Sequence, residues 1–123
     1  MKIAFSSVDG QFVNQHFGWS DEFYIYELDV DKSSFLQKAD VSKKQENEID
    51  KLEYKIASLG TVDIVYVSQI GHKAANMVKS AGIFPMKSSS ENEKIDDVIH
   101  SLQEMIRKNP PLWLQRILAK ALS

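Results

Sequence analysis

Residues 63–86 read DIVYVSQIGHKAANMVKSAGIFPM, and this stretch decides the fold. Asp63–Ser68 is a short, nearly continuous apolar run, the pattern of a strand covered on both faces. Ile70-Gly71 turns the chain. Ala74, Met77, Val78 and Ala81 recur at helical spacing, and Gly82 supplies the residue that ends a helix. Ile83–Met86 returns as a second strand. Strand, helix and strand in close succession predict a βαβ unit, whose crossover is right-handed by default.

Upstream, Lys2–Val8 is apolar and β-prone, Asp9-Gly10 is a favoured two-residue hairpin turn, and Gln11–His16 reads as the return strand. Phe17–Asp21 is turn-like. In Glu22–Val30, Phe23, Ile25 and Glu27 alternate with Tyr24, Tyr26 and Leu28, a strand pattern. These three strands predict an antiparallel meander. Lys32–Val41 is polar and reads as irregular. Ser42 with Gln45 matches a capping box, and Ile49, Leu52, Ile56 and Leu59, closed by Gly60, predict an amphipathic helix. Downstream, Ser90 with Glu93 repeats the capping box. Ile95, Val98, Ile99, Leu102 and Ile106 form a third helix stripe, which Asn109-Pro110-Pro111 stops. Leu114, Ile117, Leu118, Ala121 and Leu122 predict a short tail helix with Arg116 and Lys120 on its polar side. The expected class is α/β: a mixed five-stranded sheet, antiparallel meander plus βαβ crossovers, flanked by helices. Residues 1–109 form the domain and 110–123 the amphipathic tail. This arrangement resembles the ribonuclease H-like architecture.

The length, 123 residues, fits one domain with a single core and no staples. Nothing is long and apolar enough to span a bilayer. The opening MKIAFSSV is too short and strand-like for a signal peptide, so a cytoplasmic chain is expected. A monomer is the separate expectation for its assembly state. The absence of cysteine excludes disulfides, thiol nucleophiles and thiolate metal sites. Residues 1–63 carry 12 acids and 7 bases, and residues 64–123 carry 5 acids and 8 bases. That asymmetry predicts that an anionic ligand prefers the C-terminal half. It is not the basic stripe of a nucleic-acid binder.

Two loops are candidates for chemistry. In Asn14–Trp19, His16 ends a strand beside Phe17, Gly18 and Trp19. Neutral imidazole binds borderline metals such as iron, and rigid strands carry binding loops. The competing reading is a histidine bonded within its hairpin, with the aromatics in the core. In Ser68–Lys73 a parallel strand ends, Gly71 turns the chain, and a helix begins at His72 and Lys73. Free N–H groups there suit anions, although every strand-to-helix turn has them.

Metal-dependent hydrolysis needs converging carboxylates, and Asp9, Glu27 and Asp63 form no convincing cluster. The aromatics Phe17, Trp19, Phe23, Tyr24 and Tyr26 lie among Asp21, Glu22 and Glu27, which oppose phosphate approach. His100 reads as exposed, Met77, Met86 and Met105 as core, and Ser88–Ser90 as loop and cap. No Ser/His/Asp pattern, GxGxxG or P-loop is present, and no enzyme is expected.

KIAFSSVDG, then VNQHFG followed by FYIYELD, then IGHKAANMVKSAGIFPMK, resemble the dinitrogenase iron–molybdenum cofactor biosynthesis family. The tail NPPLWLQRILAKAL is similar to that of the NifX branch of nitrogenase accessory proteins. The resemblance implies a ribonuclease H-like fold without nuclease activity. It implies a small carrier for the iron–molybdenum cofactor or its iron–sulfur precursor, working with nitrogenase cofactor assembly proteins. His16 inherits the proposed ligand role of the family's HFG motif. Where some members carry a cysteine before the second loop's glycine, this chain has Ile70, and His72 offers a second imidazole. The implied contacts are therefore His16, Phe17, Gly18, Ser68, Gly71, His72 and Lys73, with His16 on the metal. Acid should weaken such binding, because a ligating imidazole must be neutral. Two other readings stay open. One is an interaction module whose tail (Trp113, Leu114, Ile117, Leu118) docks on a partner. The other is a relative outside nitrogen fixation that binds another cluster or anion.

Overall fold

The computed structural model describes residues 1–122. Ser123, the end of the expected tail, and the Leu122 side chain lie outside the described parts. The main strands are β1 (Lys2–Ser6), β3 (Glu22–Leu28), β4 (Ser33–Asp40), β5 (Ile64–Val67) and β6 (Phe84–Lys87). They form one mixed sheet in the order β4-β3-β1-β5-β6. β3 lies antiparallel to both β1 and β4, and β5 parallel to both β1 and β6. The helices are α1 (Glu48–Ser58), α2 (His72–Ser80), α3 (Ile95–Lys108) and α4 (Leu112–Leu122).

The central strands explain the layering. In β1, Ala4 faces one side, and Ile3 and Phe5 the other. In β5, Val65 and Val67 oppose Ile64 and Tyr66. All seven residues are buried, so neither strand has a solvent face. One layer is completed by Leu52 of α1 and by Ala74 and Val78 of α2. The other is completed by Ile95, Val98, Ile99 and Leu102 of α3. Asp96 and Asp97 at the start of α3 and Arg107 and Lys108 at its end complement the helix dipole.

The five-stranded count is as expected, but one member differs. Gln11–His16 is not a sheet strand. Only Phe12–Val13 (β2) forms a strand there, and it pairs with Glu93–Lys94 (β7) in a separate ladder. Asp9-Gly10 is accordingly not a two-residue hairpin turn. The Asp9 carboxylate accepts the N–H groups of Gln11 (2.9 Å) and Phe12 (3.0 Å), which curls the chain into a wider loop beyond β1. Those two bonds hold the Asp9 carboxyl below its usual range.

The fifth strand is β4, the segment expected to be irregular. It hydrogen-bonds to β3 along its length but presents almost nothing to the core, so its side chains show no alternation. Its hairpin is set by Asp29, whose carboxylate accepts the N–H groups of Asp31 (2.8 Å) and Lys32 (2.7 Å).

Both expected capping boxes are also corrected. The α1 cap is Asn47, whose side chain accepts the Asp50 N–H at 2.9 Å. Ser42 instead bonds Asp40, five residues upstream of that cap. α3 begins after Lys94 without a side-chain cap, and Glu93 is used elsewhere.

The tail helix packs on its own domain. Leu114 is fully buried, Ile117 joins the α3 layer, and the Trp113 ring stacks on Phe84 at 4.6 Å. Leu114→Ala should therefore destabilise the fold by about 3 kcal/mol, while Leu112→Ala, at a 60% exposed site, should stay within about 0.5 kcal/mol. Urea denaturation of the two variants checks this.

Candidate functional site

The parallel strands β1, β5 and β6 all end at one edge of the sheet, where open α/β sheets take ligands. Residues 14–17 are fastened there. The buried Ser6 hydroxyl donates to the Gln15 carbonyl at 2.7 Å. The Ser68 N–H donates to the same carbonyl at 3.0 Å, and the Phe17 N–H donates to the Gln69 carbonyl at 2.8 Å. His16 thus lies alongside Gln69 as a short parallel extension of β5.

A short 3₁₀ turn, Phe17–Trp19, follows. It drives the Phe17 ring into the core against Phe23 and lays the Trp19 indole flat on the His16 ring, centroids 4.3 Å apart. Trp19 is 71% exposed, and His16 is half-buried beneath it. Neither His16 ring nitrogen bonds to another described residue.

His16 opens on a cavity of about 610 Å³. Asn14, Gln15, Ser68 and Gln69 line one side, and Lys87–Asn92, the loop after β6, lines the other. That loop is anchored at both ends. The Ser88 N–H reaches the Val67 carbonyl at 2.8 Å, and Glu93 accepts the Ser89 hydroxyl at 3.2 Å and the Tyr66 phenol. Burial, then the Glu93 carboxylate, pushes the Tyr66 phenol well up, so it stays a donor at neutral pH.

Beneath the 3₁₀ turn lies a feature no motif announced. Lys55 of α1 is only 2% exposed, and its ammonium donates to the Ser20 carbonyl and, at 3.5 Å, to the Phe17 carbonyl. Burial, and then repulsion from Lys51, lowers the Lys55 amine to about 8. Its sequence position was the available signal: three residues after Leu52 and four before Leu59, a lysine falls on the apolar face of α1.

Of the seven residues expected at the site, His16 and Ser68 line the cavity. Phe17 belongs to the core instead, because its ring is fully buried. Gly18 borders a different concavity. Gly71 caps α2 through its carbonyl, and His72 and Lys73 are exposed on the first turn, outside the cavity lining. Ile70 packs against the α1–α2 layer, which turns that loop away. The serine loop, read from sequence only as loop and cap, lines the cavity. Its signal was a run of hydroxyls, Ser88-Ser89-Ser90, directly after a parallel strand.

Among the described residues, no three His, Asp or Glu side chains gather to chelate a metal ion. Asp9 follows the carboxyl end of β1 while Asp63 precedes the amino end of β5, so they stand at opposite edges of the sheet. No described helix is long and apolar enough to cross a membrane.

A family model described as dinitrogenase iron-molybdenum cofactor matches residues 1–105. Protein NifX of Herbaspirillum seropedicae is 34% identical over 122 residues, covering 98% of this chain and 83% of that one. Protein NifX of Azotobacter vinelandii is 33% identical over 121 residues, covering 98% and 76%. The crystal structure of PH0822 shares the fold, with a TM-score of 0.63 at 22% identity over 85% of this chain and 91% of that one.

Lys55 makes stability depend on alkaline pH. Its native amine releases a proton near pH 8, whereas the unfolded one does so near 10.5, so the unfolded state holds more protons in between. Stability should rise with pH across that window, by up to about 3 kcal/mol from this group. Lys55→Met should lack the rise; urea midpoints of both proteins between pH 7.5 and about 10 measure the difference.

Proposed function

The chain belongs to the dinitrogenase iron-molybdenum cofactor family, and from that premise we propose a role in nitrogenase cofactor biosynthesis. In this reading it is a non-enzymatic carrier that holds the iron–molybdenum cofactor, or its iron–sulfur precursor, and passes it to assembly proteins. One observation carries the reading. His16 is the only imidazole lining the 610 Å³ cavity, in a chain without thiols. A single nitrogen donor cannot assemble a metal centre from free ions. It can occupy one open position on a preformed cluster whose other positions are already filled.

The rest of the wall is mostly neutral donors, with Lys87 offsetting the one carboxylate, Glu91. The hydroxyls of Ser68, Ser88, Ser89 and Ser90 and the amides of Asn14, Gln69 and Asn92 can donate hydrogen bonds to sulfide or carboxylate. Each such bond is modest and replaceable, which suits a protein that must release its cargo. Trp19 holds the imidazole plane by stacking, as ligating histidines usually need an orienting neighbour. We also take the sheet as ribonuclease H-like, used for holding rather than hydrolysis. Asp9, Glu27 and Asp63 have separate duties or face solvent, consistent with that use.

Anaerobic gel filtration with isolated cofactor or precursor should give co-elution of protein with iron, and with molybdenum where the mature cofactor is used. His16→Ala should weaken binding several-fold, and His72→Ala should leave it unchanged. Full binding by the His16 variant would refute the role given to that residue.

A further inference from the structure

Trp19 also borders a second concavity, of about 540 Å³, between the 3₁₀ turn, the linker after β4 and helix α1. Its charged lining is Lys43, Lys44, Lys51 and Lys55 against the single carboxylate of Asp21. This is unexpected in a chain of net charge −2, and more so in its acidic half. Four of the seven cations of residues 1–63 converge on one hollow, which a count of charge by halves cannot see.

These lysines are not used up within the protein. Lys43 and Lys44 make no ion pair or hydrogen bond with any described residue. Lys51 approaches Glu48 only at 3.9 Å, at the limit of an ion pair. By contrast Lys38 and Lys108, elsewhere, sit 3.3 and 3.2 Å from their partners. Lys55 adds a charge fixed in place by two backbone carbonyls, away from water that would screen it. The exposed Trp19 indole offers an apolar wall with one N–H donor. The volume lies within the range of small-molecule sites.

We propose that this hollow binds a small polyanion carrying two or more carboxylate or phosphate groups, held by Lys43, Lys44 and Lys51 beside Trp19. The hollow shares the Trp19 wall with the His16 cavity but is otherwise lined by different residues, and its binding does not depend on cluster carriage.

The test is an NMR titration of the ¹⁵N-labelled full chain at low ionic strength with citrate, with pyrophosphate, and with acetate as a single-charge control. Saturable shifts at the Trp19 indole and at residues 42–45 are expected for citrate or pyrophosphate, and added salt should weaken them. The tighter of the two assigns the headgroup chemistry. The double variant Lys43→Ser/Lys44→Ser, altering two exposed linker residues, should bind about tenfold more weakly. Replacing both with arginine should restore binding. Non-saturating shifts, equal response to acetate, unchanged affinity in the serine variant, or shifts confined to His16 and residues 88–92 would each overturn the proposal.

Discussion

Two backbone hydrogen bonds hold the site together: Phe17 N–H to the Gln69 carbonyl, and Ser68 N–H to the Gln15 carbonyl. They splice an otherwise irregular segment onto the end of β5, a strand with every residue buried. A histidine on a free loop would sample many positions. Here the core fixes the imidazole through two short links, and Ser6 on β1 adds a third. Lys55 supports the next residues from below, through carbonyls that the 3₁₀ turn leaves unpaired. The position of His16 is therefore a property of the sheet, and not of its own loop.

The lack of cysteine gives this arrangement its chemical character. A four-thiolate site binds metal as part of folding and releases it reluctantly. One imidazole among hydroxyls and amides asks little of the fold: among the described residues, every buried side-chain polar atom already has a partner within the protein. In the carrier reading, loading and unloading then change hydrogen bonds at a surface cavity and leave the core undisturbed.

The sequence was most legible where one residue pattern met one environment. β5 could be read because both faces are covered, and α3 because its stripe is long and regular. β4 escaped because an edge strand with exposed faces needs only backbone pairing, which leaves no mark on side-chain order. Asp9-Gly10 misled because Asp can build a turn with its own carboxylate, and the dipeptide does not say which turn it makes. His16 and Ser68, singled out by their place at strand ends, both line the cavity. Phe17, expected beside them, turns its ring into the core, because the short 3₁₀ turn sends it the opposite way from His16. The serine loop and the lysine hollow depend on segments that meet only after folding, and composition by halves does not report such meetings.

The loop of residues 88–92 has both ends clamped, by Val67 at one side and by Glu93 with Tyr66 at the other, while its middle serves only the cavity wall. It follows the outermost strand, so nothing in the sheet lies beyond it. Lengthening such a segment costs only a slowly growing closure entropy. In the carrier reading, descendants of this chain could therefore be refitted to a bulkier or slimmer passenger by editing a handful of polar codons, with the scaffold left as it stands.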